Sequence, residues 1–72
     1  MKSYGIEITE EQVAAGLAVM ARPFKAMELE GALRRAGVPE EANPSRVADK
    51  LLQRERKAGR IRFTSNRWEP VS

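Results

Sequence analysis

Arg46, Lys50, Gln53 and Lys57 recur at intervals of four, three and four residues within PSRVADKLLQRERKAGRI, residues 44–61. At about 100° per residue, that spacing lines them along one side of a helix. Cations and an amide on a shared face suit two tasks, holding an anion and reading a hydrogen-bonding edge. Val47, Ala48, Leu51, Leu52 and Ala58 fall on the other side. The helix thus has an apolar back for a core and a cationic front for a partner. An anionic groove fits that front, and double-stranded DNA is the expected one.

Other chemistries find little support. Histidine and cysteine are both absent, which removes the commonest general base and metal ligands and any disulfide. The ten acids are dispersed, with no loop that gathers them. The expectation is a protein that is not an enzyme, with no catalytic residues, metal or cofactor. No apolar run approaches the roughly 20 residues of a membrane span, and MKSYGIEITEE lacks the apolar stretch of a secretion signal. The expected setting is cytoplasmic, without a membrane partner. The net charge of +3 is unevenly distributed: residues 1–43 carry five basic and seven acidic side chains, and residues 44–72 carry eight and three. Such polarity predicts one basic face rather than a generally adhesive surface.

The elements that must position this face are legible in order, within one domain of 72 residues. Residues 1–8 read as an N-terminal extension. A first helix is predicted over 9–22: Thr9 caps, Gln12 reaches back, Ile8 staples against Val13, and Pro23 stops it near Ala21. Val13, Leu17, Met20 and Ala21 form its inner stripe. Phe24-Lys25 is a connector long enough for one β-bridge at most, with Phe24 in the core. A second helix over 26–36 buries Leu29, Ala32, Leu33 and Ala36 and ends at Gly37, with Val38 against Leu33. Lys25 is a poor cap for its start. Asn43-Pro44 opens the third helix, 44–58, which Gly59 closes. Residues 60–71 then read as a hairpin. With Ser65-Asn66 as its two-residue loop, Phe63 faces Trp68 and Arg62 faces Glu69. Trp68 is expected to plug the core, and Met27 and Gly31 to face outward.

Three helices followed by a two-stranded hairpin make an α+β, mostly α architecture that resembles the winged helix-turn-helix family over about residues 9–71. The resemblance rests on FKAMELEGALRRAGV for the supporting helix, NPSRVADKLL for the recognition helix and KAGRIRFTSNRWEPV for the wing. Ala58-Gly59-Arg60-Ile61 matches the family's turn from helix into wing. Glu55 departs from it, standing where many members carry leucine. It lies in the apolar face, so a basic partner is expected, Arg22 or Arg62.

The resemblance implies that the third helix enters a DNA major groove with Ser45, Arg46, Asp49, Lys50, Gln53 and Lys57 facing it. Arg46 suits either a bidentate guanine contact or a phosphate. Gln53 suits adenine, or is simply a good helix former. Lys50, Arg54 and Lys57 suit phosphates, as do Ser45 and the free amides of the helix start. Asp49 suits either a cytosine amine or a pairing that holds Arg46 in place, and the pairing is expected. Arg62, Thr64, Ser65, Asn66 and Arg67 make a polar, cationic wing for backbone contact, with Arg62–Glu69 pairing as the alternative for Arg62.

The expected function is sequence-specific binding of double-stranded DNA by a small regulator or a phage or plasmid accessory factor. With about five phosphates engaged, the log–log salt slope is expected at about −4 to −5. A protein-interaction module using Met27 or the acidic Glu28, Glu30, Glu40 and Glu41 is the alternative. Homodimerisation on DNA remains open. RNA is less favoured, because stacking on bases needs exposed aromatics, and Tyr4, Phe24, Phe63 and Trp68 mostly read as packing residues.

Overall fold

In the computed structural model, which describes residues 1–71, helix α3 spans Pro44–Lys57. Asn43 opens it from a left-handed backbone (φ 56°), and its Oδ1 accepts from the Arg46 amide at 3.3 Å. Val47, Ala48, Leu51 and Leu52 are buried, as the wheel predicts, whereas Ala58 caps the helix in solvent. Helix α2 spans Ala26–Arg35 and packs Leu29, Ala32 and Leu33 against α3 and against helix α1, Glu10–Val19. The weak cap at Lys25 is compensated by Glu28, whose carboxylate accepts from the Lys25 amide at 3.0 Å. Between α2 and α3 lies a single 3-10 turn, Glu40–Ala42.

Two glycines end α2 and α3 in the same way. Gly37 (φ 98°) and Gly59 (φ 76°) occupy the left-handed position. The Val38 amide then donates back to the Leu33 carbonyl, and the Arg60 amide to the Glu55 carbonyl, each at 3.0 Å. These are six-to-one closures of the last turn.

Helix α1 carries the predicted reciprocal cap: Thr9 Oγ1 accepts from the Gln12 amide, and Gln12 Oε1 from the Thr9 amide. It is shorter than the predicted 9–22. The Met20 and Ala21 amides bond back only three residues, to Leu17 and Ala18, so the chain tightens and leaves the helix before Pro23. Met20 is buried, but Ala21 is exposed and lies outside the inner stripe. The fully buried residue of α1 is instead Gly16, which lets the helix close against three leucines.

Strands β3 (Ile61–Thr64) and β4 (Arg67–Pro70) pair antiparallel in the predicted register, Phe63 opposite Trp68 and Arg62 opposite Glu69. Ser65 and Asn66 both have positive φ (51° and 63°), as a two-residue hairpin loop requires. Phe24 and Trp68 exchange two backbone hydrogen bonds of 2.8 Å, which bind the hairpin to the α1–α2 connector. Three helices and a hairpin therefore assemble with winged-helix-like topology.

Residues 1–8 are not a simple extension. Lys2–Ser3 (β1) and Ile6–Glu7 (β2) form a second antiparallel hairpin, turned at Tyr4-Gly5. Ile8 behind it is buried in the core with Phe24, Leu29, Leu33, Val47, Leu51 and Ile61. Strands of two residues have no readable period, which is why the sequence alone does not reveal them. Among the described residues no helix is long and apolar enough to cross a membrane.

Candidate nucleic-acid interface

The outer side of α3 stands in solvent. Arg46, Asp49, Lys50, Arg56 and Lys57 are exposed and Gln53 is half-buried. Arg46, Arg56 and Lys57 have no carboxylate within salt-bridge distance among the described residues. That leaves their charge to attract an external anion.

The neighbours of this face alter several expected roles. Lys50 Nζ donates to the Lys2 carbonyl at 2.8 Å, so this lysine is held toward the N-terminal hairpin. Gln53 Oε1 accepts from Arg56 Nε at 3.2 Å and Nη2 at 2.9 Å. A bidentate adenine contact needs both ends of that amide, so Arg56 must first let go. Asp49 makes no ion pair with Arg46 among the described residues, contrary to expectation. It borders a groove with Met27, Glu30, Ser45 and Leu52, on the α2 side of the helix. Ser45 lines the same groove. Glu30 is held below the ordinary carboxylate range chiefly by Arg34 and secondarily by Ser45.

Arg54 leaves the proposed face altogether. Its Nε lies 3.3 Å from Glu55 Oε2, and it borders the grooves along α1 beside Leu17. Glu55 is buried as expected, but its partners are neither Arg22 nor Arg62. Arg60 grips it with both prongs, Nε to Oε1 at 2.7 Å and Nη2 to Oε2 at 2.8 Å. This bidentate contact dominates the lowering of the Glu55 pKa; burial opposes it and Arg54 assists. The signal was present in the sequence: Glu55 and Arg60 flank Gly59 at the two positions a glycine-terminated cap brings together.

The hairpin of β3 and β4 adds a second cationic surface. Arg67, Ser65 and Asn66 are exposed at its tip and Thr64 is half-buried. Arg67 borders a cleft with Pro23, Lys25 and Glu28, which places the tip beside the start of α2. Arg62 is spent on Glu69 at 2.8 Å, the alternative to backbone contact. Trp68 is half-buried and packs on the core, while Phe63, 5.2 Å away and edge-on to it, remains 59% exposed. Tyr4 is also exposed, at 67%, so two of the four aromatics are not taken up by packing. Sequence reasoning missed Arg56, Arg60 and this tyrosine.

Fold and surface together define a small winged-helix-like domain whose third helix carries an exposed, mainly basic face. Comparison with protein-family models, with curated proteins and with solved structures finds no match for this chain.

Proposed function

We propose that this domain binds double-stranded DNA, with α3 in the major groove and the β3–β4 hairpin along the backbone. The observation that carries the reading is the division of α3. One side is sealed by Val47, Leu51 and Leu52, and the other offers Arg46, Arg56 and Lys57 to solvent without ion-pair partners among the described residues. Lys50, which keeps two further donor directions, and Arg67 extend this surface. About five cations then remain available, although the set differs from the one expected from the sequence: Arg54 and Arg62 are spent on carboxylates, and Arg56 joins Arg46, Lys50, Lys57 and Arg67. Four of these, all but Arg46, are assigned to phosphates, and at about 0.9 each the log–log salt slope is about −3.6.

Arg46 is the residue proposed to read a base edge, because it lies in the first turn of α3 and makes no ion pair among the described residues. The others position the protein. The test is anisotropy titration of a library of labelled duplexes over a range of KCl concentrations. Arg46→Ala with Lys57→Ala is expected to weaken binding at least tenfold, relax the base preference and flatten the slope by about one, with the melting temperature unchanged. Equal affinity of wild type and variant, or binding indifferent to salt, would refute the assignment.

A protein partner is the second reading, favoured by the groove between α2 and α3. Met27, 82% exposed, stands over Ala48 and Leu52 there, with Glu30 and Asp49 at the rim. Amide shifts on DNA titration that include 45–57 and 64–67 but spare Met27 and Glu30 of α2 favour the first reading over this one.

A further inference from the structure

The N-terminal hairpin is fastened beside α3 by two specific bonds. Ser3 Oγ, buried, donates to the Ala42 carbonyl at 2.6 Å, just before α3 begins. The Lys2 carbonyl accepts from Lys50 Nζ, two turns into α3. Met1 lies further along, in a groove that Arg54 also borders. Strand β1 therefore runs antiparallel to α3, on the Lys50–Arg54 side, opposite the side that α2 covers. Its turn, Tyr4-Gly5, directly follows Ser3, whose hydroxyl is bonded beside the N-terminal end of α3.

That turn contains an unusual choice. Both of its residues have positive φ, Tyr4 at 52° and Gly5 at 77°. Asn-Gly suits such a turn best, and a bulky residue there is an outlier. The strained tyrosine is not held by burial, because its ring is mostly in solvent. Its phenol is a donor of the kind that meets phosphate oxygens. Lys2, on the same hairpin, is exposed and has no carboxylate partner among the described residues; the nearby Glu7 is taken by the chain's amino terminus at 2.9 Å.

From this arrangement we infer that β1–β2 is a second DNA-contacting hairpin, with Tyr4 and Lys2 meeting the sugar-phosphate backbone on the flank of α3 away from the β3–β4 hairpin. The inference rests on the DNA-binding reading above and extends it: the recognition helix is bracketed by two β-hairpins rather than one. Continuity with the Arg46–Lys57 face and matching charge favour a phosphate backbone as the occupant.

The test compares the whole chain with Tyr4→Asn/Lys2→Gln and with Arg46→Ala/Lys57→Ala, on a mixed-sequence duplex of about 24 base pairs over a range of KCl concentrations. Tyr4→Asn/Lys2→Gln is expected to weaken binding about five- to tenfold and flatten the salt slope by about one. Its melting temperature should be unchanged or higher, since asparagine tolerates the left-handed turn better than tyrosine. Wild-type affinity and slope in this variant, while Arg46→Ala/Lys57→Ala loses binding, overturn the hairpin's role and leave α3's intact. A wild-type chain that fails to bind the duplex overturns both.

Discussion

Glu55 and Arg60 close the end of α3 twice over: the Arg60 amide donates to the Glu55 carbonyl, and the Arg60 guanidinium clasps the Glu55 carboxylate. These positions commonly hold an apolar contact across a glycine cap. Here a buried carboxylate and an exposed arginine replace it, with Arg54 on the second oxygen. The turn into β3 is thereby anchored by charge.

Removing one side of this clasp should therefore be worse than removing both. Arg60→Ala leaves Glu55 buried with only Arg54, and is expected to lower the melting temperature by several degrees. Adding Glu55→Leu should restore it to wild type or above, because an apolar side chain of similar size suits the site. Thermal denaturation followed by circular dichroism reads both, and a double variant less stable than Arg60→Ala alone would contradict the account.

Acid should loosen the same corner. Glu55, Glu30 and Glu40 are all held below their ordinary value of about 4.5, Glu55 chiefly by Arg60 and the other two chiefly by Arg34. A carboxyl depressed in the folded state contributes stability above its unfolded pKa and loses it as pH falls through the folded one. Stability is expected to be level from about pH 7 to about 5 and to decline below that. Glu55→Gln should make the decline shallower in urea denaturation at stepped pH.

Gly16 and Gly31 sit in neighbouring helices and should respond oppositely to a larger side chain. A Cβ at Gly16 meets Leu51 at 3.0 Å and Leu29 and Leu33 at 3.3 Å. All three leucines are fully enclosed, so they cannot yield. Gly16→Val is expected to cost about 2–3 kcal/mol. At Gly31 the nearest atom is the mobile end of Arg35 at 3.4 Å. Gly31→Ala should therefore stabilise by about 0.5–1 kcal/mol through helix propensity alone. Chemical denaturation of the two variants checks both signs.

Ser3 tests whether the N-terminal hairpin is integral to the fold. Ser3→Ala removes the buried bond to the Ala42 carbonyl and is expected to cost about 1–2 kcal/mol. Hydrogen exchange should accelerate first at Ile8, whose amide donates to the Met1 carbonyl at 2.7 Å. Unchanged exchange there would mean that the hairpin does not depend on this tether.

What could be read in advance is what short-range rules govern. Thr9 and Gln12, Asn43 and Pro44, Gly37 and Gly59 set helix ends within a few residues of themselves. The Ser65-Asn66 loop likewise sets which residues of β3 and β4 face each other. The amphipathic division of α3 followed from period alone, and with it most of the core. The fates of individual cations did not. Arg46, Lys50, Arg54 and Arg62 look alike in the chain, yet among the described residues one has no ion-pair partner, one is tied to a backbone oxygen, and two are spent on carboxylates. Which of these outcomes a charged side chain meets depends on what the packing brings within about 3 Å of it, and long flexible side chains carry no periodic record of that. The β1–β2 hairpin was hidden for the same reason. Two-residue strands are held by Ala42 and Lys50, some forty residues away, so only the assembled molecule decides that they form and that they lie against the basic helix.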